Sequence, residues 1–499
     1  MRKNLFPSLV GALGVAACST PVLPSDAGLD AFTPTVATDA FVPVDAPTPV
    51  DVATPVDDAS ALDAATPVDA AVSMEDAFTP ADVGGLADAF VADVGTDAGV
   101  PVLATWEATL TAGVADDRLG WRVSISADGS RALVASISEL AETGAARVFA
   151  LGGSGWAEEA ALRAPDGEAG DRLGYGVALS GDGLRAILGA PQDDTAAGAN
   201  AGSARVFVRT GSTWTPEATL LLSAPAASDG FGDSVAINRD GTIALVGCSN
   251  DDGAAGSVTV FTRSGVTWRE EAVLRAPDAA AGDYFGASLA LSESGERAVI
   301  GAHGDDTVRG TDTGSARVFV RSGTSWTFEA MLVASDGAAS DQLGLYGAAV
   351  SADGSRAVVG ARQHDTVSGG MDAGSAYVFS RVGTMWSEEA ILVARDGAAM
   401  DLFGLGVSLS GDGARAVVTA HRDDRTVGMD AGSVRLFVRS GTTWTEVSTL
   451  ASPTAAAFDF FGQSAAISTD GRRALVGVIY ADTAIGMTSG SAQVFTLAP

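Results

Sequence analysis

From residue 104 onward, short apolar runs alternate with Gly-rich polar punctuation, and the alternation returns every 50 to 60 residues. Residues 171–220 show one full period. Val177 and Leu179 alternate with small residues, Asp182-Gly183 interrupts, and Ala186-Ile187-Leu188-Gly189-Ala190 follows. Two residues of Asp-Gly type between alternating runs predict a hairpin, because both positions tolerate positive φ. Ala204–Val208 predicts a third strand and Trp214–Leu220 a fourth, joined by a tight Gly-Ser-Thr turn. Runs this short, rich in β-branched and aromatic residues and free of helical period, indicate an antiparallel all-β domain.

The period is tied to fixed residues. Asp-x-[Phe/Leu]-Gly stands at 117–120, 171–174, 229–232, 283–286, 341–344, 401–404 and 459–462. Asp-Gly follows at Asp128, Asp182, Asp240, Asp353, Asp412 and Asp470, with Ser294-Gly295 in the fourth copy. One Trp per period appears at 106, 156, 214, 268, 326, 386 and 444, a spacing that predicts core positions; Trp121 is the extra one. Four strands per repeat is the arrangement of a propeller blade, with a flat solenoid as the weaker alternative.

The two ends decide between closure and an open array. The repetitive region begins with a lone fourth-type strand, Trp106–Leu110, and finishes on a third-type strand, Ala492–Thr496, with no fourth after it. Pairing them closes seven blades of four antiparallel strands into a ring and removes a sticky strand edge. Burying Trp106 at that seam is expected to add about 4–6 kcal/mol. The fifth copy has one residue more than the sixth between its Asp341 and Ser351, which predicts a β-bulge.

Phe231-Gly232, Phe285-Gly286, Phe403-Gly404 and Phe461-Gly462, with Gly189-Ala190-Pro191 and Gly-Ala at 301 and 360, resemble the FG-GAP repeat family. That family is known from the integrin α-chain head and from many bacterial surface proteins. The resemblance covers about residues 105–499. It implies a seven-bladed propeller used for adhesion or ligand binding. Integrin-like repeats often carry an Asp-x-Asp-x-Asp-Gly calcium loop between the first two strands. Here those turns hold one Asp each, as at Asp128, Asp182 and Asp240, and a calcium cage needs six to eight oxygens.

Composition adds charge and compartment. The 499 residues carry a formal charge of −32 with Lys3 as the single lysine, which argues against nucleic acid. Arg2 and Lys3 precede a mostly apolar run, Leu5–Ala17, too short to span a bilayer. Val15-Ala16-Ala17-Cys18 resembles the lipobox of bacterial lipoproteins, implying lipid attachment at Cys18 after cleavage of residues 1–18. An ordinary export signal with an incidental Cys is the bland reading. Residues 19–100 hold fifteen acidic residues and no basic one, within an Asp/Ala/Pro/Val/Thr composition that predicts a disordered linker. It reads as a stalk lifting the 101–499 propeller off a membrane, or as filler of biased composition. The remaining cysteine, Cys248, reads as a small buried hydrophobe.

Candidate chemistry gathers in the long connections, which topology places on one face. Asp193, Asp194, Asp251, Asp252, Asp305, Asp306, Asp365, Asp423 and Asp424 form one set, between second and third strands. Bound divalent cations, with Ca2+ the candidate cofactor, or a basic partner would exploit a ring of carboxylates. In the bland reading each Asp caps its own turn. The Asp that opens Asp-x-[Phe/Leu]-Gly reads as structural, and His303, His364 and His421 as scattered surface residues. No Gly-x-Ser-x-Gly, P-loop or His-Glu-x-x-His occurs, and the near-equivalence of the copies argues against one catalytic blade. The expectation is a monomeric, exported, lipid-anchored protein of the bacterial outer membrane or cell surface that binds a protein or glycan and is not an enzyme. A hydrolase or lyase with its site at the ring centre, and a scaffold subunit of an envelope complex, are the alternatives.

Overall fold

A computed structural model describes residues 103–499; Cys18, the export segment and the 19–100 segment lie outside the described residues. The described residues form seven four-stranded antiparallel sheets. In the second blade, Val177–Leu179, Arg185–Ala190, Ser203–Thr210 and Thr213–Leu220 run from the inside outward. The inner hairpin turns as its residues require. Gly183 sits at φ +67°, Asp182 Oδ1 accepts the Leu184 N–H at 2.9 Å, and Ser180 Oγ accepts the Arg185 N–H at 2.9 Å.

The seventh blade is the closing one. Phe461–Ile467, Arg473–Val478 and Ser491–Leu497 take Ala104–Leu110 as their outer strand, with Thr105 opposite Thr496 and Leu110 opposite Ala492. A second closure runs around the axis. The Ala127 N–H donates to Gly181 O, Asp182 N–H to Arg239 O, Arg239 N–H to Glu293 O, and Glu293 N–H to Ala352 O. Ala352 N–H then donates to Gly411 O, Gly411 N–H to Thr469 O, and Asp470 N–H back to Ala127 O. This circle of backbone bonds joins all seven inner turns and frames a cavity of about 150 Å³ at the lower end of the channel.

Cores lie between the sheets. Ile187, Val206 and Leu220 of one blade pack on Phe231, Val235, Val246 and Phe261 of the next. The Phe-Gly pair makes this approach close. Gly232 sits at φ +103°, and a Cβ on Gly189 of the preceding blade would fall 1.8 Å from its carbonyl oxygen.

The outer strands show why the Trp period exists. Each third–outer strand pair has a β-bulge, and in six blades the bulged residue is Glu: 107, 159, 217, 271, 329 and 389. Each of these carboxylates accepts the indole N–H of the next blade's Trp, at 2.9 to 3.2 Å, from Trp156, Trp214, Trp268, Trp326, Trp386 and Trp444 in turn. The indoles are therefore half-buried staples between blades, not fully buried core.

Trp106 does not belong to that series. Counting back three residues from bulged Glu107 gives Ala104, so Trp106 lies two positions out of register and is 48% exposed. The expected gain from its burial is not realised. At the seam it was meant to fill, all three parts of the staple are apolar: Val447 replaces Glu, Leu497 replaces Arg, and Ala104 replaces Trp. They pack together in one cluster. Nor is the extra residue of the fifth copy a bulge in a strand. It lies in the turn ahead of Ala348–Val350 and brings Tyr346 toward the axis.

Candidate functional site

Seven of the nine aspartates in the second-to-third connections divide into two structural jobs. Asp193, Asp305 and Asp423 point inward and bind Arg205 at 2.9 Å, Arg317 at 3.0 Å and Arg435 at 3.0 Å. Each arginine also reaches an aspartate of the preceding connection: Asp166, Asp278 and Asp396 respectively. Asp194, Asp306, Asp365 and Asp424 instead accept one backbone N–H of their own loop, from Asn200, Asp312, Asp372 and Asp430, at 2.8 to 2.9 Å. Asp251 pairs with Arg275 at 2.7 Å, and Asp252 sits in a left-handed turn at φ +55°. The carboxylates face their own blades and do not converge. Among the described residues no group of three His, Cys, Asp or Glu side chains is arranged to hold a metal ion.

The aspartate opening each Asp-x-[Phe/Leu]-Gly is a cap in all seven copies, accepting the N–H three residues earlier at 2.5 to 2.8 Å. Burial, with Asp423 nearby, pushes the Asp401 carboxyl up to about 6. A raised folded-state value means this group supports folding below pH 3.8, and that support is lost as the pH rises through 6. Asp401→Asn keeps the acceptor for Ala398 and removes the buried charge. It is expected to stabilise the protein by about 1–3 kcal/mol at pH 7.5, with the gap narrowing towards pH 4. Thermal melts of both forms across that range check it.

The histidines are not surface residues. His364 and His421 are buried and His303 is half-buried against Tyr284, with ring centroids 4.7 Å apart. In the fifth blade His364 replaces the inward aspartate and Tyr377 the arginine. His364 Nδ1 meets Ser375 Oγ at 2.8 Å, and the Tyr377 hydroxyl donates to Asp336 at 2.8 Å. His364 Nε2 lies 3.8 Å from Asp336, so a Ser-His-Asp series results. Ser375 is wholly buried in its strand and stands where Ser203 meets Asp193 in the second blade, so it holds the equivalent packing position.

The least repetitive chemistry lies on the axis, at the channel mouth opposite the backbone circle. The residue after Phe/Leu-Gly differs in every copy except for two leucines: Trp121, Tyr175, Asp233, Ala287, Leu345, Leu405 and Gln463. The Arg122 guanidinium of the first blade lies 4.9 Å from the Tyr346 ring centre of the fifth, a contact between blades that are not neighbours. Arg362 approaches the same ring at 5.9 Å, and Trp121 lies 5.6 Å from Tyr175. Burial, then Tyr346, pushes the Tyr175 phenol up to about 12. Burial, then Arg422 and Arg362, holds His421 down to about 3, so it is neutral at neutral pH. Burial raises Asp233 to about 6, with Ser249 donating to one of its oxygens. Sequence reasoning passed over this mouth because it weighed what the copies share. The signal was where they differ, together with the one added residue beside Tyr346.

The FG-GAP repeat matches residues 156–207, 214–261, 268–319, 326–379, 386–437 and 444–495. No curated protein matches the chain.

Proposed function

Because the chain belongs to the FG-GAP repeat family, we propose that it is a non-enzymatic binding module, exported and held in the bacterial envelope by lipid on Cys18. The propeller supplies a rigid frame whose cores lie between blades, so residues on the loop face can vary without cost to the fold. The observation that carries the reading is the axial mouth. There, Arg122 and Tyr346 of non-adjacent blades meet, at positions where the copies differ. Its chemistry is arginine and aromatic rather than the paired carboxylates expected of a hydrolase or lyase. The acidic, Pro-rich 19–100 segment acts as a spacer, and the protein works as a monomer recognising a protein or glycan at the outer membrane or cell surface.

The test uses the full-length protein. Labelling of cells with a clickable fatty acid should mark it and fail for Cys18→Ser, while arrays of glycans and extracellular proteins should retain it. An array with no retained spot, together with a stoichiometric partner in membrane pull-downs, would favour the scaffold reading instead.

A further inference from the structure

Most described arginines of this ring are matched to carboxylates, but Arg122 and Arg362, which meet at the axial mouth, are not. Arg205, Arg317 and Arg435 each hold two aspartates, and Arg209, Arg321, Arg381 and Arg439 each hold a bulged Glu. Arg122 and Arg362 have no carboxylate within ion-pair distance among the described residues; their recorded partners are aromatic rings. They are not scattered. Arg122 and Arg362 share the Tyr346 ring, and both are partly buried.

Arginine cannot shed its proton to escape burial, so like charges held together in a partly dry mouth are costly unless an anion joins them. Cation–π contact offsets some of this, by about 0.5–2 kcal/mol per contact. The chain carries net charge −32, yet Arg122 and Arg362 make no ion pair among the described residues, and Asp372 acts on Arg362 only at longer range.

Other unpartnered atoms describe the rest of the ligand. Arg362 Nε and Trp121 Nε1 are buried donors without acceptors, and Asp233 Oδ1 has no well-aligned donor, with Ser234 its nearest polar neighbour. A bare carboxylate such as acetate would answer the donors and offer Asp233 no hydroxyl, whereas an acidic hydroxylated ring supplies both and adds a face for the aromatic rings. Tyr346, Tyr175 and Trp121 provide flat apolar walls for such a ring.

We propose that the axial mouth, walled by Trp121, Tyr175 and Tyr346 and charged by Arg122 and Arg362, binds an acidic sugar through its carboxylate. This deepens the binding reading above by assigning it a place and a ligand class. The carboxylate meets Arg362 and Arg122, a ring face lies along Tyr346, and a hydroxyl donates to Asp233.

Isothermal titration of the full-length protein with glucuronate, N-acetylneuraminate, glucose, acetate and inorganic phosphate tests it. One of the two acidic sugars should bind at a single site, with glucose, acetate and phosphate each at least about tenfold weaker. Arg362→Gln and Arg122→Gln should each weaken that binding by about tenfold, the effect of losing a charge-assisted contact. Tyr346→Ala, a change at a half-exposed turn, serves as the second variant, and melting midpoints verify that all three variants fold. The assignment is overturned if neither acidic sugar binds, if folded variants bind as the parent does, or if acetate or phosphate binds as tightly as the sugars. Retention on neutral glycans or proteins alone would overturn this inference and leave the binding reading standing.

Discussion

Glu389→Ala is expected to lower stability by about 3–5 kcal/mol, because it strips the shared acceptor from a cluster of buried donors. Glu389 Oε1 accepts from Arg439 Nε at 2.6 Å and from Trp444 Nε1 at 2.9 Å, while Oε2 accepts from Arg356 Nη2 at 3.0 Å. Burial alone would raise this carboxyl, but bonds from Arg439, Arg356 and Trp444 outweigh it and hold the value below the usual range. The sign follows. The contribution is present above pH 4.5 and is lost as the pH falls through the folded value, opposite to Asp401. The seam between sixth and seventh blades shows that the site does not demand charge. There Val447, Leu497 and Ala104 replace Glu, Arg and Trp together. Transplanting that set as Glu389→Val, Arg439→Leu and Trp444→Ala should therefore cost less than Glu389→Ala alone, since fewer donors are left stranded. Denaturant unfolding at pH 7 decides it; a loss under about 1 kcal/mol for Glu389→Ala would contradict the staple.

Removing residues 103–110 should cost more than any point change, at least about 5 kcal/mol, which is comparable to the total stability of many domains. The strand supplies Leu110 to the cluster shared with the first blade and Leu103 and Ala104 to the one shared with the sixth. It also brings Glu107, which binds Arg473 at 2.9 Å and Trp156 at 3.1 Å. Without it, the seven-residue strand Ser491–Leu497 becomes a bare edge, and the expected outcome is unfolding or association through that edge. Loss of cooperative unfolding, or oligomers in gel filtration, would be the readout. An intact monomer with an unchanged midpoint would show that the strand is decoration.

Blade number, strand order and closure were legible because they rest on local signals repeated seven times. Asp182-Gly183 turns a hairpin wherever it stands, and the unequal ends at Trp106 and Val494 left one pairing. The Trp106 register was not legible. Its one-per-period appearance concealed a two-residue offset that only the bulge at Glu107 reveals. For the acidic loops the sequence left a binding reading and a turn-capping reading open. Asp193-Asp194 reads as two adjacent charges, but strand geometry turns one inward onto Arg205 and the other back onto its own loop. The axial mouth depends on distances across the ring, between Arg122 and Tyr346, and no local pattern carries those.

The seating of the first strand beside the last is most directly tested with cysteines at Thr105 and Thr496, which stand opposite one another in the closing pair. Under mild oxidation the double variant should form an intramolecular disulfide in the monomer, seen as faster migration on a non-reducing gel and as a raised unfolding midpoint. Failure to cross-link, or cross-linking only between chains, would contradict a ring closed within one molecule.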